Sequence, residues 1–186
     1  MKKLSLAIIA VLGFGFGASA QVDTYFDSHQ VTVTIPPVAL LDIEASASKD
    51  FTVAFAAPTE AGEAIVAPTT GLNTKWLNYS SILNASGAGS TSRKVTVESM
   101  AAVPAGITIG VTAGTPTGTG TTGSSAGAVA TISTTAADVI TGIGSVYTGN
   151  GPGVGSQLTY AIGLGTYSAL VAGNITVTVK YTLVDL

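Results

Sequence analysis

Few residues in this chain have the type and spacing to do chemistry. Two glycine-rich patterns overlap between residues 118 and 127. Gly118-Thr119-Gly120-Thr121-Thr122-Gly123 fits G-x-G-x-x-G. A dinucleotide site needs a strand before that pattern, a helix after it and an acidic residue about 20 positions further on. A threonine-glycine tract supplies none of these. Gly123-Ser124-Ser125-Ala126-Gly127 fits G-x-S-x-G, but a nucleophile elbow needs a histidine downstream of the serine to take its proton. The only histidine, His29, lies far upstream. With no cysteine in the chain, a thiol nucleophile, a disulfide framework and a thiolate zinc site are excluded.

Two carboxylate pairs remain. Asp42 and Glu44 share one face of a predicted strand, about 7 Å apart at i and i+2, and Glu60 and Glu63 flank a glycine-containing turn. A glycosidase needs two such groups, and a calcium loop needs a D-x-[DN]-x-[DN]-G run that this chain lacks. Solvated strand and turn positions account for both pairs. The sequence therefore reads as non-enzymatic, with no cofactor and no metal. Seven Lys+Arg against ten Asp+Glu leave no basic footprint for nucleic acid.

The one tryptophan opens a different chemistry. In Trp76-Leu77-Asn78-Tyr79, period-two alternation places Trp76 and Asn78 on one face and Leu77 and Tyr79 on the other. Trp76 is expected to be the core tryptophan, because aromatics dominate core energetics. The alternative puts Leu77 in the core and leaves Trp76 free to stack on a sugar ring. Trp76 and Tyr79, with the loops 115–127 and 148–156, would then form a glycan-contact surface.

The elements that must position these residues are strands. Hydrophobic residues make up 46% of the chain and charged ones only 9%. Disordered chains combine the opposite values, and an average domain is about 25% charged. Lys2 and Lys3, an apolar run Leu4–Phe16 and Ala18-Ser19-Ala20 have the layout of a secretory signal peptide over residues 1–20. A mature chain from Gln21 is then expected, secreted through the periplasm and with no membrane span. Val31, Val33 and Ile35 alternate with Thr32 and Thr34 until Pro36-Pro37 stops the run. At the far end Ile175, Val177, Val179, Tyr181 and Leu183 alternate with polar residues through 174–186.

Between these ends, strands are predicted at Val38–Glu44, Phe51–Phe55, Glu63–Val66, Trp76–Leu83, Lys94–Ser99, Ile107–Ala113, Ala128–Ser133 and Leu158–Leu164. A helical turn is predicted at Thr135–Ile140, and the Gly/Thr/Ser tract Thr115–Gly127 reads as a flexible surface hairpin loop. Many short strands separated by turn signals specify an all-β, antiparallel sandwich or barrel. One domain over 21–186 is the expectation, with 21–35 either its first strand or an N-terminal extension.

The ending Gly173-Asn174-Ile175-Thr176-Val177-Thr178-Val179-Lys180-Tyr181-Thr182-Leu183 resembles the closing strand of fimbrial subunits. It is most similar to the spore-coat-U-like group of archaic chaperone–usher pili, and the short signal, low charge and Thr/Gly/Ala richness agree with that class. The chain is also similar in places to secreted β-proteins of Gram-negative bacteria. The fimbrial resemblance implies an Ig-like, pilin-like sandwich, self-association or assembly with related subunits, and a periplasmic chaperone. It also implies an N-terminal donor strand, for which Val31, Val33 and Ile35 are the candidate residues. Ile175, Val177, Val179 and Tyr181 belong to the matching C-terminal assembly strand. The expected function is a structural subunit of a surface fibre, pilus or coat, with a secreted carbohydrate-binding or adhesive module as the alternative.

Overall fold

A computed structural model describes residues 25–84 and 89–186. The signal-peptide segment, the Gln21 start and residues 85–88 of the Asn84–Ser92 turn lie outside the described residues. The chain divides into two units, 1–34 and 35–186. In the first, residues 25–34 form neither helix nor strand.

The second unit is an all-β sandwich of two antiparallel sheets. Eleven strands are described: β1 (Val38–Glu44), β2 (Lys75–Ile82), β3 (Arg93–Ser99), β4 (Ile107–Ala113), β5 (Thr119–Gly120), β6 (Ser124–Ser125), β7 (Ala128–Val129), β8 (Ala137–Ile143), β9 (Val146–Tyr147), β10 (Ser156–Leu164) and β11 (Val179–Asp185). The larger sheet runs β5-β9-β2-β10-β4-β7, with β1 on the other side of β2, and the smaller runs β11-β3-β8-β6. Among the described residues no helix is long and apolar enough to cross a membrane.

Alternation in the sequence becomes burial in the sandwich. Leu77 and Tyr79 on β2, Val111 and Ala113 on β4, and Leu158 and Tyr160 on β10 face Val95 and Val97 on β3 and Val139, Ile140 and Ile143 on β8. These side chains leave water together, each contributing roughly 1.5–3 kcal/mol when a large apolar group is fully covered.

Several expectations are corrected, three of them at length. Thr135–Ile140 is not a helical turn, because Ala137–Ile143 is a strand of the smaller sheet. Its pairing with β3 slips twice, between Arg93 and Val95 and again between Val95 and Thr96. Such bulges turn the consecutive Val139 and Ile140 inward together, which breaks the alternation that marks a strand in sequence. Residues 174–178 are not strand either. The β3–β11 ladder begins at Val179↔Ser99, and its last support is the Met100 N–H donating to the Thr178 carbonyl at 2.9 Å. Beyond Ser99 the partner strand has ended, so Ile175 and Val177 have no ladder to join.

The third correction concerns Thr115–Gly127, which is no free hairpin tip. Thr119–Gly120 pairs with β9 in one sheet and Ser124–Ser125 with β8 in the other. The tract crosses the end of the sandwich, and glycine is what lets it pass. Gly120 has φ +104, and a Cβ there would lie 2.3 Å from the Ser145 carbonyl oxygen. Phe51–Phe55 keeps its alternating half-buried pattern without forming a strand. Glu63–Val66 contributes only the bridge Ala56↔Val66, and of Ala128–Ser133 only Ala128–Val129 is strand.

Candidate functional site: an open lateral seam

Among the described residues each sheet ends on one side in a strand with a single ladder partner: β1 pairs only with β2, and β11 only with β3. These two strands are neighbours across the sandwich. Their inward residues, Leu41 and Ile43 on β1 and Val179, Tyr181 and Leu183 on β11, pack on the core but remain half-buried. The equivalent residues one strand further in, Val95 and Val97, are fully buried. Phe51 also packs on the core and meets Tyr160 at a tilt of 52°, with ring centroids 4.9 Å apart. An edge with these side chains only partly covered can accept one more strand.

The seam has a polar frame. Inside it the Tyr160 and Tyr181 hydroxyls meet at 2.9 Å. Burial pushes both phenols upward in pKa, Tyr181 strongly, with the neighbouring Tyr160 adding to the effect. Lys180 on the outer face pairs with Glu98 of β3. At one end, Arg93 joins the strands on both sides. Its Nε donates to Asp185 Oδ1 at 2.6 Å, and its Nη1 donates to the Val38 carbonyl, to Ser81 Oγ at 2.9 Å and to the Ile82 carbonyl at 3.4 Å. The guanidinium side chain is buried. Sequence reasoning missed this residue because the strand was read from Lys94. The signal was its parity, since Arg93 falls in step with the inward-facing Val95 and Val97.

The other candidates divide. Val31 and Val33 are about three-quarters exposed, at 75% and 76%, and Ile35 is exposed at 70%. Residues 31–35 have no strand assignment and no ladder partner among the described residues. Val179 and Tyr181 line the seam, while Ile175 is exposed and Val177 half-buried outside the ladder.

Leu77 is the core residue of β2, so Trp76 is not the core tryptophan. It sits half-buried on the outer face, opposite Glu44 and Gln157. Tyr79 is 3% exposed, and its hydroxyl donates to the Thr122 carbonyl at 2.5 Å. A phenol enclosed in this way offers no surface to a sugar, and burial raises its pKa far above the usual value. Trp76 and Tyr79 therefore point to opposite faces and form no joint contact. The loop 148–155, which joins β9 to β10, is held by Asn78, which donates to the Val154 carbonyl and accepts from Gly151 N–H, both at 2.8 Å.

Asp42 and Glu44 lock a turn. Ser46 Oγ lies within hydrogen-bond distance of both, at 3.1 and 2.8 Å, its one proton going to the nearer Glu44 or shared, and Lys49 pairs with Asp42 at 2.5 Å. The Lys49 hydrogen bond holds the Asp42 carboxyl below its usual range. Glu60 and Glu63 are exposed turn residues. Among the described residues no group of three His, Cys, Asp or Glu side chains could hold a metal.

The class these observations define is an all-β sandwich of two antiparallel sheets with a half-covered seam between the edge strands β1 and β11. No protein-family model, no curated protein and no solved structure matches the chain.

Proposed function

We propose that this protein is an exported, non-enzymatic structural subunit of a surface fibre, pilus or coat, assembling by β-strand addition. Val31–Ile35 of one subunit enters the seam between β1 and β11 of the next, or of a related subunit. The observation that carries this reading is complementarity within one chain. The seam is lined by half-buried Leu41, Ile43, Val179, Tyr181 and Leu183, while Val31, Val33 and Ile35 are exposed and outside every ladder. Main-chain hydrogen bonds would supply affinity, and alternate side chains entering the seam would supply register. A bare seam is an aggregation hazard during export, so a periplasmic chaperone that covers it until assembly belongs to this reading. The saccharide-binding alternative loses Tyr79, which is enclosed, and keeps Trp76 and the loops 115–127 and 148–156.

The experiment is to delete residues 21–35 and inspect the exported product by electron microscopy. Loss of filaments is the expected outcome, and filaments at unchanged yield would sink strand donation. A peptide of residues 27–35 added to the truncated protein should raise its unfolding free energy. The rise would be about 2.7 kcal/mol at a hundredfold excess over the dissociation constant.

A further inference from the structure

We infer that Pro36-Pro37, backed by the Arg93 clamp, prevents each subunit from filling its own seam and so reserves the seam for a second copy of the chain. The inference rests on the strand-addition reading above. Only two residues separate the alternating segment Val31–Ile35 from Val38, the first residue of β1. To enter its own seam the segment must reverse direction at those two residues.

Two-residue reversals between antiparallel strands are type I′ or II′ turns, which need positive φ at the first central position or at both. Proline is locked near −65°, so neither turn forms at Pro36-Pro37. A type I turn fails as well, because proline at its second central position drives the preceding residue out of the helical region. Both bonds into these prolines are trans, which sets aside the remaining proline turn. Consecutive prolines instead favour an extended, semi-rigid spacer.

A looser reversal would have to borrow Ile35, which takes one of the three alternating side chains out of the inserted segment, or residues from β1, whose start is pinned. Val38 pairs with Ile82 in the ladder, and its carbonyl accepts from Arg93 Nη1. The same guanidinium holds Ser81 and Asp185. Freeing Val38 therefore removes an acceptor from a buried cation shared by four strands.

The block matters because of concentration. A segment tethered by two residues to β1 acts on its own seam at an effective concentration in the millimolar range. Without the prolines, self-insertion would outcompete a second copy present at micromolar levels, and assembly would stop at closed monomers.

The test uses the full exported chain with Pro36→Asn and Pro37→Gly together, which supplies the residues a type I′ turn needs. Light scattering after size exclusion reads the multimer fraction. It should fall at least roughly tenfold, as expected when a tethered segment competes at millimolar effective concentration. The variant monomer should also melt higher than the wild-type monomer, with Val31 and Val33 amides newly protected from exchange.

A second variant guards against misfolding: Asn-Gly-Ser-Gly inserted between Ile35 and Pro36 leaves both prolines directly before β1 and should give the same monomers. Multimers at wild-type yield from both variants would overturn the inference. Val33→Asp separates this outcome from failure of the parent reading. If Val33→Asp multimerises normally, strand addition itself is wrong. If it does not, while the turn variants still multimerise, only the role of the prolines falls.

Discussion

Arg93 shows how one side chain can join elements that sequence keeps far apart. A buried guanidinium has five donors and cannot shed its charge, so its cost inside the protein is offset only when several acceptors converge on it. Here Val38, Ser81, Ile82 and Asp185 converge. Arg93→Ala should lower stability by about 3 kcal/mol, read as the urea midpoint. Arg93→Lys should recover little, because an ammonium cannot span acceptors on three other strands.

The buried phenols give a pH signature. Tyr79, Tyr160 and Tyr181 are all raised by burial, so the folded state keeps protons that the unfolded chain releases near pH ~10. Their contribution to stability is complete below that pH and is lost as pH rises above it. Chemical denaturation should show a steady midpoint from pH 7 to about 9 and a decline beyond about 10. Tyr181→Phe should shallow that decline while costing about 1 kcal/mol at neutral pH for the lost hydroxyl contact. A wild-type midpoint that stays level to pH ~11 would contradict the assignment.

Among the elements, the tract 115–127 and strand β8 mark where local pattern and pairing part company. The tract looks like a flexible linker in composition, yet its glycines are fixed by close backbone approach. Gly120→Ala should cost about 2 kcal/mol, because the new Cβ meets the Ser145 carbonyl at a positive φ. Gly127→Ala is the control. Its φ is also positive, at +97, but nothing lies within 4 Å, so only the backbone penalty of about 1 kcal/mol applies. Equal losses at the two sites would show that the close approach carries no weight.

Ile107–Ala113 was legible to the residue because its alternation continues unbroken opposite β10. Ala137–Ile143 was not, because bulges are set by the partner strand and leave two adjacent apolar residues that also suit a helical turn. Phe51–Phe55 shows the reverse case, in which the alternation is real but no neighbour offers a ladder.

At the scale of the whole molecule, the seam is where protection by charge is thin. An edge strand usually carries charges or prolines that repel a partner. On β11 the two charged side chains are engaged, Lys180 with Glu98 and Asp185 with Arg93, which leaves the free edge weakly guarded. The low charge of the chain, 9% of residues, is thus concentrated in cross-strand pairs and clamps and gives the edge little protection.

By itself the sequence determined the class, since period-two alternation, glycine-rich turns and scarce charge admit an all-β protein and little else. It also excluded thiol and disulfide chemistry, because the chain has no cysteine. Only the tertiary structure decided that Leu77 and Tyr79 are core while Trp76 is not. It also decided that the C-terminal ladder starts at Val179 and that β1 and β11 are the strands left half-covered. The reason is physical: alternation fixes which residues share a face, but which face is buried, and which strand lacks a neighbour, depend on pairing between segments distant in sequence.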